Sequence, residues 1–375
     1  MVLSAEKIRQ GLIYTFIGLA VFYSVFTVGR IFFDFQLQDF RVYYLAVRAF
    51  IIGSNPYIDW GAGVYLYPPA SLVFLSPFGL LEYELAERIW TLVSFGSLVA
   101  AIMILLRILR PRFPLKQFLV VFSLAMLSFP VKFTLGMGQI NLILLFFVCL
   151  SFYFYRERKQ YLSGLTLAVA TAVKLSPVFL ILFYIRKKQV KVLVGFLFGI
   201  AGFYLFGQRV FSEYWLDVFS HIPTIGNGSY YNQSLTGWLA RGLVVDETAK
   251  IINYFVFASL LVFSFKMTAV GRKNSAVELA EYGLFILATL LGAGLAWQHH
   301  FALAVVPFMA IWQLGNKRKL SRPVFVLGTF SYLLIAWNMR NPQFFSGWGG
   351  LLLSHVFYGA LLLYWLLHYG LRNSL

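Results

Sequence analysis

The stretch ELAERIWTLVSFGSLVAAIMILL, residues 84–106, decides the fold class. From Ile89 to Leu106 it carries no charge, and Arg107 and Arg110 follow at once. A helix needs about 20 apolar residues to cross the hydrocarbon core, so this segment reads as a membrane span with one basic end. Working outward, Gly11–Gly29, Val190–Phe211, Ala249–Met267, Leu279–Trp297, Pro323–Asn338 and Gly349–His368 read the same way. Gln117–Val131, Gln139–Tyr155 and His300–Leu314 are shorter, and fit as locally thinned or partly interfacial spans.

Composition agrees with this reading. Of 375 residues, 60% are apolar and 12% charged, against about 25% charged in a soluble domain. No polar stretch is long enough for a separate soluble domain, so residues 1–375 read as one transmembrane domain. The net charge of +17 falls in short clusters between apolar runs: Lys7/Arg9, Arg107–Lys116, Arg156–Lys159, Arg186–Lys191, Lys266–Lys273 and Lys317–Arg322. With Arg372, these clusters hold 21 of the 31 basic residues, while ten of the 14 acids lie in the other set of loops. Lys and Arg mark cytoplasmic loops, so both termini are expected in the cytoplasm and the other loops outside a cell membrane. Anionic lipid headgroups are the partners this pattern predicts, and nucleic acid is not. Cys149 is the single cysteine and sits in an apolar run, which excludes a disulfide framework or a cysteine metal site. The basic N-terminus and first apolar run lack a small-residue cleavage site, since Arg30-Ile31-Phe32-Phe33 follows, and read as a retained span.

Tyr161–Ile185 resists the simple scheme. It lies between two basic clusters, both expected on the cytoplasmic side, yet it is one span long and is interrupted by Lys174 and Pro177. Two short broken helices that dip in and return satisfy both constraints, because irregular backbone at depth is allowed where it lines a protein cavity. With this pair the expected total is about 12 transmembrane helices, some short or broken. Two long outer loops remain, about 30–83 and 212–248, both rich in Tyr, Trp, Asn, Gly and Pro. Within the first, Pro68–Leu81 reads as an interfacial helix, with Tyr83 and Trp90 near the headgroups. No internal repeat is visible, which argues against an inverted-repeat transporter.

The first loop carries Asp39-Phe40-Arg41-Val42-Tyr43, Gly53-Ser54-Asn55-Pro56-Tyr57 and Tyr67-Pro68-Pro69. Asp39 opens an apolar-periodic segment and reads either as a helix N-cap or as a reactive acid; Asp34 has the same choice. Lys174 stands out on physical grounds, because an ionisable residue amid an apolar segment is a functional candidate, the bland alternative being snorkelling to an interface. Arg41, Arg48 and Arg241 are phosphate candidates or interfacial anchors. Gln139, Asn141, Asn232 and Gln233 are able to bond sugar hydroxyls or loop backbone. Among the many aromatics, Tyr43, Tyr57, Tyr67 and Trp297 are candidates for sugar stacking.

In this order the motifs resemble glycosyltransferase family 87. The first loop is similar to that family's first outer loop. Gly138-Gln139-Ile140-Asn141, the Gly164-to-Pro177 segment with Lys174, Asn232-Gln233-Ser234 with Arg241, and Trp297-Gln298-His299-His300 resemble its later motifs. The chain departs from it where Gly294-Leu295-Ala296 replaces Ser-Pro-x-Ser before the histidines. The resemblance implies an all-α GT-C-type fold. It also implies transfer of a hexose, mannose foremost, from a polyprenyl-phosphate donor to a lipid or glycan acceptor on the non-cytoplasmic face. It implies that Asp39 is the catalytic base of an inverting displacement, and that His299 and His300 bind donor phosphate or position the acceptor; a lipid phosphate is the partner expected for Lys174 on its chemistry. No cofactor is implied, and no metal, since the donor carries a monophosphate. A lipid-linked-sugar flippase and a surface-polysaccharide polymerase or ligase are the competing readings; neither calls for a privileged acid in the first outer loop.

Overall fold

The computed structural model describes residues 5–34, 36–110, 112–219, 228–242, 247–271, 274–318, 322–339 and 347–373, with 342 and 345. The protein is an all-helical, multi-span membrane protein with seventeen α-helices among the described residues. In chain order they are α1 (Ala5–Asp34), α2 (Gln38–Ile51), α3 (Pro69–Gly79), α4 (Tyr83–Leu109), α5 (Leu115–Leu127), α6 (Phe129–Met137), α7 (Asn141–Arg156), α8 (Gln160–Val173) and α9 (Ile181–Arg186). There follow α10 (Val190–Gly207), α11 (Phe211–Glu213), α12 (Leu235–Gly242), α13 (Glu247–Met267), α14 (Ser275–Gly292), α15 (Val305–Arg318), α16 (Arg322–Ala336) and α17 (His355–Arg372).

Among the described residues five helices are long and apolar enough to cross a membrane, or up to seven if two sharply bent pairs are each one span. This falls below the expected total of about 12, and the reason is local. The run expected as Gln117–Val131 breaks at Ser128, where Pro130 starts a new helix and the axis turns by 69°. Asn141–Arg156 and Gln160–Val173 are apolar but have only 16 and 14 residues, about 24 and 21 Å at 1.5 Å per residue. The stretch expected as His300–Leu314 opens as a 3₁₀ segment, Gln298–Ala304, before α15.

Burial sorts the long helices. The apolar windows of α1 and α13 are only 17% buried, as lipid-facing helices should be, whereas that of α14 is 94% buried and stands at the centre of the bundle. α8 and α10 touch backbone to backbone. A Cβ added at Gly164 would lie 2.1 Å from the Val192 carbonyl oxygen, and one at Gly195 would lie 2.4 Å from that of Tyr161. Small residues at such spacing drive helix association in lipid, where burying apolar surface gains nothing over the lipid itself.

The segment between the two basic clusters dips and returns. α8 stops at Lys174, whose backbone is extended (φ −151°, ψ 131°). A 3₁₀ turn at Ser176–Leu180 then leads into α9. The two ends of the excursion meet, since the Gln160 side-chain amide donates to Gln189 Oε1 at 2.7 Å. Three basic clusters converge at this end. Lys187, 5% exposed, lies 2.6 Å from Glu281 and 3.4 Å from Glu278. Arg156 also pairs with Glu278, and Arg186 and Lys187 donate to the Thr268 and Ala269 carbonyls at 2.9 Å.

At the opposite end the first outer loop is more helical than expected. α2 is amphipathic and buries Phe40, Tyr43, Tyr44, Ala46, Val47 and Ala49. Pro69 begins α3, a position where the missing N–H costs nothing. Trp90 packs inside the protein. It is fully buried, stacks on Phe40 at 5.2 Å and donates its indole N–H to the Gly138 carbonyl at 2.7 Å. The two outer loops touch: Tyr57 lies 5.4 Å from Tyr214, and the Asn55 amide reaches Asp217 at 3.3 Å.

Candidate active site

The site is assembled around Gly138. α6 ends there in the left-handed conformation, φ +72°, which glycine adopts without steric cost. A Cβ at this position would come within 2.7 Å of both Leu37 Cβ and Phe40 Cβ. Glycine therefore lets the α6–α7 turn lie directly on the first turn of α2, and Gln139 faces Asp39.

Asp39 is not the N-cap of α2. That position is Leu37, without a side-chain cap, and the Leu37 N–H is taken instead by the Glu87 carboxylate of α4. Asp39 is left free of its own helix and accepts a 2.6 Å bond from Gln139 Nε2. A carboxylate only accepts, so the amide orientation is forced. Gln139 Oε1 then turns to the tyrosines, accepting from the Tyr43 hydroxyl at 2.7 Å and the Tyr67 hydroxyl at 2.9 Å. The two phenols also meet each other at 3.0 Å. Burial raises the Asp39 carboxyl above the usual carboxylate range, while the Gln139 N–H and the Lys174 charge pull it back. Only Oδ2 is engaged with Gln139, so the group has the form of a held base with an oxygen to spare.

Lys174 stands opposite. Its ammonium donates to Asn141 Oδ1 at 3.1 Å and lies 5.6 Å from the centre of the Tyr67 ring. His299 is 4% exposed and its Nδ1 has no hydrogen-bond partner among the described residues. His300 is half-buried, and its Nδ1 accepts from the Trp297 N–H at 3.2 Å. Both rings lie within electrostatic reach of Lys174. Trp297 stacks on Tyr231 with their ring planes 4° apart. Asp39, Tyr43, Tyr67, Gln139, Asn141, Lys174, His299 and His300 are thus linked by hydrogen bonds or by charge.

Other expected site residues have different employment. Asn232 is fully buried; its amide donates to the Gly294 carbonyl at 3.3 Å, and its oxygen takes the N–H groups of Ser234 and Ala296. It thereby braces the departure Gly294-Leu295-Ala296. Gln233, also fully buried, donates to the Tyr230 and Leu353 carbonyls and accepts from Val356 and Phe357. Arg241 bonds Ser354 Oγ and the Ser229 and Asn232 carbonyls. Gln233 and Arg241 tie the second outer loop to α17 and its preceding turn, Asn232 ties it to the segment after α14, and their polar groups are occupied there. Tyr57 is buried and donates to the Tyr67 carbonyl at 3.2 Å, which places it behind the site. Arg41 and Arg48 are exposed, and Arg48 caps the Tyr44 hydroxyl at 3.1 Å. One contributor, Glu87, went unread in the sequence, and Trp90 was read there only as an interfacial residue. The signal for Glu87 was available: a carboxylate inside the run at residues 84–106 is costly unless it has a partner.

Comparison with known proteins decides the family. Residues 65–336 match the model of glycosyltransferase family 87. The chain belongs to that family. Within it, the chain is similar to a polyprenol-phosphate-mannose-dependent alpha-(1-2)-phosphatidylinositol mannoside mannosyltransferase of Mycobacterium tuberculosis, 25% identical over 75% of this chain and 71% of that protein. A polyprenol-phosphate-mannose-dependent alpha-(1-2)-phosphatidylinositol pentamannoside mannosyltransferase of Mycobacterium tuberculosis is 24% identical over 76% of this chain and 70% of its own length. An alpha-(1->3)-arabinofuranosyltransferase of Corynebacterium glutamicum is 27% identical over 60% of this chain and 54% of its own. The protein is accordingly a membrane glycosyltransferase that uses a polyprenyl-phosphate sugar. Asp39 precedes the residues matched to the family model, so its place in the site stands on the geometry.

Proposed function

We propose that the protein is an inverting transferase of GT-C type that moves mannose from polyprenyl-phosphate mannose to a lipid or glycan acceptor. Four matched relatives bear names that specify a mannose donor, and this carries the choice of sugar. Asp39 takes the proton of the acceptor hydroxyl. That oxygen attacks the anomeric carbon, the bond from this carbon to the phosphate oxygen breaks, and the electron pair leaves with the phosphate. Lys174, with His299 and His300 beside it, stabilises the charge that develops there. One displacement converts a beta-linked donor into an alpha-linked product. The single observation supporting this reading is one connected site that holds a carboxylate, Asp39, and Lys174, whose charge reaches it.

The convergence of the basic clusters at one end supports a cytoplasmic position for that end, with the site on the far face of a cell membrane. A flipped lipid-linked sugar is available there, and nucleotide sugars are not. The decisive experiment is transfer by the purified protein in lipid, with radiolabelled polyprenyl-phosphate mannose and polyprenyl-phosphate arabinofuranose in parallel and a membrane-lipid extract as acceptor. Mannose transfer by wild type, abolished in a folded Asp39→Asn protein, is the expected result. Transfer of arabinofuranose alone overturns the sugar, and near-wild-type turnover by Asp39→Asn overturns the base.

A further inference from the structure

Asn141 reads at first as a sugar contact, but its surroundings assign it differently. It is fully buried at the first position of α7. Its Oδ1 is taken by the Lys174 ammonium at 3.1 Å, while its Nδ2 has no hydrogen-bond partner among the described residues. The amide has no way to turn over, because that would press its NH₂ group against the ammonium. A buried donor without an acceptor is costly, about 1–3 kcal/mol. The place therefore calls for an acceptor to be brought in.

Two further features specify the acceptor's charge. α7 is a 16-residue helix that begins without a side-chain cap. The N–H groups of its first turn and the positive end of its dipole stand at the same spot. Lys174 supplies a cation here when protonated, and the buried His299 ring, a neutral group with its own Nδ1 unpartnered, lies within its electrostatic reach. Neutral hydroxyls do not require this concentration of positive potential; an anion does.

We propose that the donor phosphate seats at the N-terminus of α7, with Asn141 Nδ2 and the Lys174 ammonium bonding its oxygens, so that Asn141 recognises phosphate and not sugar. This rests on the prenyl-phosphate reading above. Gly138-Gln139-Ile140-Asn141 then spans the whole reaction: Gln139 holds the base, and two residues later Asn141 holds the leaving group.

Full-length protein in nanodiscs of defined composition is assayed with sugar-free polyprenyl phosphate, and with the uncharged polyprenol, as inhibitors of transfer. Wild type is expected to be inhibited much more strongly by the phosphate than by the alcohol. Asn141→Leu should raise the donor KM and the inhibition constant for polyprenyl phosphate together, each about tenfold, the value of one charge-assisted bond. Polyprenol inhibition and acceptor KM should not move. A raised donor KM with unchanged polyprenyl-phosphate inhibition would make Asn141 a sugar contact and overturn the proposal, and a change in acceptor KM alone would overturn it too. Asn141→Ser, smaller and still polar, carries the same comparison if the leucine variant does not give a wild-type thermal transition. Wild type that distinguishes phosphate from alcohol in neither inhibition nor direct binding would instead remove the prenyl-phosphate reading itself.

Discussion

Gln139→Leu isolates the grip on the base. The substitution leaves an apolar side chain one atom shorter and removes both ends of its bonding, the 2.6 Å donation to Asp39 and the bonds received from Tyr43 and Tyr67. The phenols retain their mutual 3.0 Å contact, so the loss falls mainly on the carboxylate. A hydrogen bond to a charged group is worth about 1.5–3 kcal/mol. At 1.36 kcal/mol per factor of ten, kcat/KM should fall about 10- to 150-fold. The pH profile should move as well. Burial raises the Asp39 carboxyl, and the Gln139 N–H is the larger of the two influences that lower it. Without that bond the base stays protonated to higher pH, and the acid limb of kcat/KM shifts upward. The assay is initial-rate transfer across pH in nanodiscs, with thermal unfolding as the control for folding. A folded Gln139→Leu protein with wild-type kcat/KM and an unmoved acid limb would refute the claim that Gln139 holds the base.

Two further outcomes test the scaffold. Gly138→Ala imposes a left-handed backbone on alanine, at about 1–2 kcal/mol, and drives its Cβ against Leu37 and Phe40. Turnover should fall severely because Gln139 and Asp39 are pushed apart, and thermal unfolding beside kinetics will separate the two effects. Lys187→Met removes the cation shared by Glu278 and Glu281, which are 2% and 0% exposed, and leaves Arg156 as the one salt-bridge partner of Glu278 among the described residues. Breaking a buried pair costs about 3–5 kcal/mol, so the unfolding temperature should drop with little change in turnover per folded molecule. Neutralising both carboxylates in the same protein should restore part of the loss.

Residue chemistry made the ionisable half of the candidate site legible. Asp39, Lys174 and the histidine pair are ionisable groups in or beside apolar sequence, and such groups have few bland uses. The amides and the outer-loop arginine were harder to read. Gln139 and Asn141 on one side, and Asn232, Gln233 and Arg241 on the other, look alike in sequence, because an amide bonds a carbonyl as readily as a ligand. Only packing separates those whose atoms are taken within the protein from the one whose Nδ2 is left over. The helical class was plain from the apolar runs, but the number of spans was not. A run such as Gln117–Val131 records apolarity and not direction, so the 69° turn at Ser128 is invisible to it. The excursion at Tyr161–Ile185 was legible because charge on both flanks constrained it more tightly than hydropathy did.

The short helices have a consequence for what can reach the chemistry. α7 runs down to the basic end and α8 runs back from it, and they cover only about 24 and 21 Å, while the hydrocarbon core is about 30 Å thick. They act as a depth gauge. On the proposed topology, with the basic end at the cytoplasmic surface, the cation and the amide at their tips would stand several ångströms beneath the far surface, on a shelf sunk into the bilayer. A phosphate dissolved in water has to descend to that shelf and shed its hydration on the way. A phosphate tethered to a chain already lying in the membrane arrives at the right level by sideways diffusion alone.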